Sequence, residues 1–258
     1  MTPTKGLLID VDGTLCLGNR PIAGTAAYVA KLKAADRPFL ILSNNSSLSS
    51  AEYLQKMRRM GFDVERKDVL TATEATVRYL NERYPGRKVY AIGMTGFLDQ
   101  LAAGGVRLVE KDPDIVLLAY DKTVTFEKLN KGARFIMNGA TFIATHPDVL
   151  CNAEDGYDID IGSFICLLEG ATGVKPLLIG KPEVTLADMA AERLGLAKKD
   201  LVVVGDRLYT DIAFAKRNGM TAVMVLSGES KQEDVAACEY KPDYIIGSVL
   251  DVDEALGL

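Results

Sequence analysis

Two carboxylates stand two residues apart in Asp10-Val11-Asp12-Gly13-Thr14, directly after an aliphatic run ending at Ile9, and Gly13 permits a tight turn behind them. Two more, Asp206 and Asp211, lie in Gly205-Asp206-Arg207-Leu208-Tyr209-Thr210-Asp211, after the run Leu201 to Val204. Carboxylates crowded this way repel one another and raise each other's pKa unless a cation sits among them. A hard divalent ion with oxygen ligands is implied. Mg2+ fits best, because it takes one or two carboxylates and keeps waters plus a substrate phosphate oxygen in its octahedron. Asp10, Asp12, Asp206 and Asp211 are the candidate metal residues.

Ser43, Asn44 and Asn45 follow the run Phe39 to Leu42 and offer hydroxyl, amide and backbone donors, while Lys181, just beyond Leu177 to Ile179, offers an ammonium. One divalent cation and one ammonium, set against the carboxylates, balance a phosphate dianion. In open α/β sheets the ligand crevice lies outside the carboxyl ends of the strands, so Asp10, Ser43, Lys181 and Asp206 converge if their strands are parallel neighbours. Loops are polar, which explains any one of these residues. It does not explain four complementary ones.

The elements that would position them alternate short aliphatic runs with amphipathic stretches, the pattern of an α/β protein with a mainly parallel sheet. Strands are expected at Gly6 to Ile9, Phe39 to Leu42, Val89 to Ile92, Ile115 to Ala119, Phe142 to Ala144, Leu177 to Ile179, Leu201 to Val204, Ala222 to Leu226 and Tyr244 to Ile246. Ser49 with Glu52 forms a capping box for a helix that Gly61 can stop, Thr71 with Glu74 opens another towards Tyr84, and Glu183 to Leu194 closes on Gly195. Between Ser43 and Lys181 lies far more chain than the ~30 residues of a βαβ unit. That stretch contains strands of its own and helices near Phe97 to Ala103, Phe126 to Met137 and Gly162 to Ala171. The expected organisation is a Rossmann-like core from residues 1–77 and 177–258, with an inserted α/β cap at 78–176.

Composition and missing motifs narrow the function. The chain of 258 residues is 48% hydrophobic and 25% charged with a net charge of −5, as in an ordinary globular protein, and shows no basic block for nucleic acid or an anionic membrane. Its longest apolar run, Ile115 to Tyr120, is far short of the ~20 residues a spanning helix requires, and no secretory signal precedes Asp10. A cytoplasmic location is expected. Cys16, Cys151, Cys166 and Cys238 form no C-x-x-C pair, so they read as idle thiols. The dinucleotide and P-loop glycine patterns are absent, His146 is the only histidine, and no G-x-S-x-G turn presents a serine nucleophile.

At Asp10-Val11-Asp12-Gly13-Thr14, Ser43, Lys181 and Gly205-Asp206 through Asp211, taken in order, the sequence resembles the haloacid dehalogenase superfamily of aspartate-nucleophile phosphohydrolases. The run Leu42-Ser43-Asn44-Asn45-Ser46-Ser47, the phrase Gly180-Lys181-Pro182 and a cap inserted after the second motif resemble its p-nitrophenylphosphatase, or NagD-like, branch over nearly the whole chain. The resemblance implies that Asp10 forms an aspartyl-phosphate and that Asp12 protonates the leaving alcohol and then activates water. It implies Mg2+ held by the Asp10 side chain, the Asp12 carbonyl and Asp206, with Asp211 in or near the layer of residues just behind these ligands. The expected activity is hydrolysis of a small phosphorylated metabolite such as a sugar phosphate, nucleotide or glycerol-type phosphate. A phosphomutase and a non-catalytic phospho-ligand sensor are the alternatives, and a homodimer is left open.

Relatives often carry Asn within the segment written here Ala144-Thr145-His146-Pro147-Asp148, so His146 is a departure. His146 and Asp148 are the candidates to read the leaving group, although a lone histidine is more often structural. The run Asp155 to Gly162 reads as a solvated acidic turn rather than a substrate loop.

Overall fold

A computed structural model describes residues 5–153 and 156–257. Two parallel sheets organise them. The first has six strands in the order Tyr244–Ile246, Thr221–Val225, Leu201–Gly205, Gly6–Ile9, Phe39–Ser43 and Val69–Thr71. The second has five, in the order Leu177–Leu178, Thr141–Ala144, Ile115–Leu118, Lys88–Ile92 and Arg107–Leu108. All pairings within both sheets are parallel. The fold class is therefore the expected one, a Rossmann-type α/β architecture.

The strands at the centre of the first sheet are uniformly buried, as aliphatic runs covered by helices on both faces must be. Their register fixes the site. Ile9 lies level with Val204 on one side and Ile41 on the other, so the chain leaves this sheet at Asp10, Ser43 and Asp206 in neighbouring strands. Helix ends follow the local signals: the Ser49–Glu52 capping box starts Ser50–Arg59, the Thr71 side chain accepts from Glu74 N–H, and left-handed Gly195 closes Val184–Leu194.

Three expectations need correction. Leu177–Leu178 pairs with Thr141–Ala144, so this strand belongs to the second sheet and the chain returns to the first only after residue 178, not at 177. Lys181 consequently enters from the edge of the second sheet, not from a strand beside Asp10. The expected division between residues 77 and 78 also cuts through one continuous helix, Ala72–Arg83, which packs on the helices Thr95–Ala103 and Val184–Leu194. Finally, the segment from Gly156 is not a turn. Gly156–Ile159 pairs antiparallel with Leu150–Ala153, and Asp160 is a buried helix cap for Ile161–Thr172. Asp155 lies outside the described residues.

Cys16, Cys151, Cys166 and Cys238 form no disulfide among the described residues. Among the described residues no helix is long and apolar enough to cross a membrane.

Candidate active site

Asp10 takes up the end of the central strand, its N–H bonded to Val204 O at 2.8 Å. Beyond it the chain turns through Gly13, whose φ of +94° suits a residue without a side chain. A Cβ at Gly13 would also collide with the Asp206 carboxylate, so glycine is what lets the two loops approach. After Asp206 and Arg207 the backbone winds into one π-turn, Leu208–Ile212, which carries Asp211 back beside Asp206. Asp10, Asp206 and Asp211 thus form one buried group with ligand atoms within 4.8 Å of one another.

Lys181 neutralises part of this group. Its ammonium is 2% exposed, pairs with Asp10 and donates to Asp211 Oδ1 at 2.6 Å. Burial works to release its proton, but the Asp10 and Asp211 carboxylates outweigh burial and hold its pKa above the ordinary lysine value. Asn44 seats the loop: its Oδ1 accepts Lys181 N–H at 2.9 Å and its Nδ2 donates to Lys181 O at 3.2 Å.

The remaining negative charge calls for a cation. Burial and then Asp211 push the Asp10 carboxyl well above the usual carboxylate range, against the pull of Lys181. The same two causes push Asp206 up to about 7. Asp206 Oδ2 accepts Glu229 N–H at 2.7 Å, whereas its Oδ1 is buried without a hydrogen-bond partner. Both oxygens of Asp211 are engaged, by Lys181 and by Arg207 N–H at 3.1 Å. A hard divalent ion fits this donor set, with Asp10 and Asp206 as the side chains to hold it and Asp211 to orient the surroundings. The Asp12 side chain is outside the group and only half-buried.

The predicted residues Asp10, Asp12, Ser43, Asn44, Asn45, His146, Asp148, Lys181 and Asp211 all line one narrow pocket of about 40 Å3, whereas Asp206 is fully buried and does not line it. At roughly 10–15 Å3 per water, that space holds a few waters. His146 and Asp148 line it together with Asp10 and Lys181. His146 Nδ1 is 3.4 Å from Asp148 and Nε2 is 3.9 Å from Asp160, and the ring is 1% exposed. Burial disfavours the imidazolium, but Asp160 and then Asp148 raise its pKa above the ordinary value. The two nitrogens face different carboxylates without a hydrogen bond to either, and His146, Asp148 and Asp160 offer ligand atoms within 4.8 Å of one another.

Arg207 was not singled out from the sequence. Its guanidinium is buried, 3.2 Å from Asp148 and 2.8 Å from Glu229, and donates to Leu150 O at 3.1 Å. It links the first sheet's site loop to the separate two-stranded hairpin of Leu150–Ala153 and Gly156–Ile159. His146, with Arg207 assisting, holds Asp148 down to about 2 against the effect of burial. Asp160 was missed for another reason: an acidic run hides which of its members turns inward.

A Haloacid dehalogenase-like hydrolase model matches residues 7–107, and a HAD-hydrolase-like model matches residues 178–252. The chain belongs to the haloacid dehalogenase-like hydrolases. Within that family it is 36% identical to the acid sugar phosphatase of Staphylococcus aureus strain MRSA252 over 258 residues, covering 99% of this chain and 98% of that protein. The structure of a 4-nitrophenylphosphatase from Thermotoga maritima superposes with a TM-score of 0.90 at 34% identity, covering 98% of this chain and 97% of that one. A glycerol phosphate phosphatase from Mycobacterium tuberculosis in complex with calcium superposes with a TM-score of 0.85 at 31% identity, covering 95% of this chain and 73% of that one. These neighbours put the chain in the p-nitrophenylphosphatase and NagD-like branch of the haloacid dehalogenase-like hydrolases, among phosphatases.

Proposed function

We propose that this phosphatase is a Mg2+-dependent phosphomonoester hydrolase of small metabolites working through an aspartyl-phosphate. The observation that carries the reading is the Lys181 ammonium paired with both Asp10 and Asp211 on the wall of one narrow pocket. Two of its three N–H groups serve those carboxylates and the third is left for a phosphoryl oxygen. The names of the relatives, acid sugar phosphatase and glycerol phosphate phosphatase, support a small polar leaving group.

An Asp10 carboxylate oxygen bonds to phosphorus as the ester P–O bond breaks, and Asp12 gives its proton to the departing alkoxide oxygen. Asp12, now ionised, takes a proton from water, whose oxygen bonds to phosphorus as the bond to Asp10 breaks, and inorganic phosphate leaves. A carboxylate nucleophile splits one difficult displacement into two easier ones. Ser43 and Asn45, beside Asp12 on the pocket wall, supply donors to the phosphoryl oxygens. Asp10, Asp206 and the Asp12 carbonyl would hold a divalent cation, which when bound would supply charge neutralisation at the phosphoryl group.

The decisive experiment is phosphate release from p-nitrophenyl phosphate and a phosphometabolite panel with Mg2+, repeated after chelation and with Asp10→Asn. Stoichiometric inorganic phosphate, lost on chelation and in the variant, is expected. Full activity after exhaustive chelation would remove the metal, activity in Asp10→Asn would remove the covalent step, and transfer of phosphate to a second alcohol without release would indicate a mutase.

A further inference from the structure

Beside the phosphoryl pocket lies a wider cavity of about 410 Å3. Asp12, Asn45 and Cys151 line both. In the proposed reaction Asp12 must face the leaving oxygen, so the rest of the alcohol extends past Asp12 into this second space. The leaving group is thereby directed away from His146 and Asp148, which line only the small pocket.

The wider cavity has two cationic side chains. Lys122 is exposed and already paired with Asp158 at 2.9 Å. Lys56, on the helix Ser50–Arg59, is half-buried and makes no ion pair among the described residues. Its ammonium stands 5.8 Å from the centre of the Tyr53 ring. Asp158 in the same cavity serves Lys122, and Asp12, the cavity's carboxylate nearest the chemistry, makes no ion pair with Lys56. Lys56 is thus a half-buried cation with no ion-paired carboxylate among the described residues, and an anion on the substrate supplies the counter-charge.

We infer that the alcohol released by this chain carries a second anionic group, a carboxylate or a further phosphate, and that Lys56 binds it. This deepens the phosphomonoesterase reading and rests on it. Asn45 and Ser47 line the same cavity and can bond hydroxyls between the two anionic ends, whereas Tyr120 and Met94 give it apolar walls. Recognition remote from phosphorus of this kind raises kcat/KM by aligning the ester for attack.

The test compares kcat/KM, with Mg2+ present, in two matched pairs: 3-phosphoglycerate against glycerol 3-phosphate, and fructose 1,6-bisphosphate against fructose 6-phosphate. At least one charged member is expected to be preferred about tenfold, the size of one charge-assisted hydrogen bond, and the pair that shows it identifies the anion as carboxylate or phosphate. Lys56→Met should remove most of that preference, Lys56→Glu should reverse it and Lys56→Arg should keep it, while Lys122→Met changes it little. A wild type that shows no preference for the doubly anionic ester in either pair, or prefers the ester without the second anion, overturns the inference. So does a Lys56→Met loss of equal size on all four esters, which would assign Lys56 to the charge of Asp12. Failure to release phosphate even from p-nitrophenyl phosphate would instead defeat the underlying reading.

Discussion

Lys181 is the residue on which the candidate site depends most heavily, because its buried ammonium is the protein's own counter-charge for Asp10 and Asp211. Removing one partner of a buried ion pair costs more than the pair contributes, since the survivors keep their burial and lose their compensation. Lys181→Met is expected to lose roughly 3–5 kcal/mol, lowering Tm by about 6–20 °C in a chain of this size, and to abolish turnover. Thermal unfolding with and without Mg2+ checks this, and the cation should restore part of the loss. A variant as stable as the parent would show that the carboxylates simply take up protons. At this scale the sequence was informative where chemistry and position coincide: Asp10, Ser43 and Asp206 end strands, and strand ends are readable. Arg207 and Asp160 were not, because their partners Asp148, Glu229 and His146 come from distant parts of the chain.

Among the elements, the loop between Ile115–Leu118 and the helix Phe126–Met137 is held by one buried carboxylate. Asp121 accepts from Thr123 N–H at 2.8 Å, from Thr123 Oγ1 at 2.7 Å and from Lys128 Nζ at 2.7 Å. Burial raises its pKa, but Lys128 and Thr123 outweigh burial and bring it below the usual value of 3.8. A depressed pKa stabilises the fold fully above the unfolded value and loses that contribution as pH falls through the folded one. Asp121→Asn should therefore lower Tm at pH 7, and the gap to the parent should close below pH 4. A gap independent of pH would mean that shape, not charge, holds the loop. The elements legible in advance were aliphatic runs buried on both faces, such as Leu201–Gly205, and helices with capping signals, such as Ser50–Arg59. Those missed had no such pattern: Arg107–Leu108 and the hairpin Cys16–Leu17 with Arg20–Pro21 are two-residue strands, and every residue of Gly156–Ile159 is exposed. Val69–Thr71 was hidden because Thr71 both ends that strand and caps the next helix.

For the whole molecule, the two sheets meet over the site through a short polar seam. Ser46, just beyond the Phe39–Ser43 strand, bonds Thr145 Oγ1 at 2.8 Å and accepts Tyr120 N–H at 3.0 Å, so one hydroxyl joins the first sheet to the ends of two strands of the second. Asn44 Nδ2 adds a 3.3 Å contact to Asp148, and Ser50 N–H donates to Gln100 at 2.6 Å. The phosphoryl pocket is narrow and Lys181 is 2% exposed, so parting of this seam is expected to speed substrate entry and phosphate release. The hydroxyl of Ser46 is completely buried, so Ser46→Ala removes two bonds from the closed state and leaves the Tyr120 N–H unsatisfied there, at a cost of about 1–3 kcal/mol. In the open state water satisfies that N–H, so the variant shifts the balance towards opening. Amide exchange at Tyr120 and Thr145 should accelerate about 5- to 150-fold, while exchange in the central strand Gly6–Ile9 stays at the parent's rate. If product release limits turnover, kcat rises as kcat/KM falls, because an easier opening frees phosphate sooner while a less populated closed state aligns substrate less often. Uniform acceleration across both sheets would show that the seam supports global stability and not the opening of one sheet from the other.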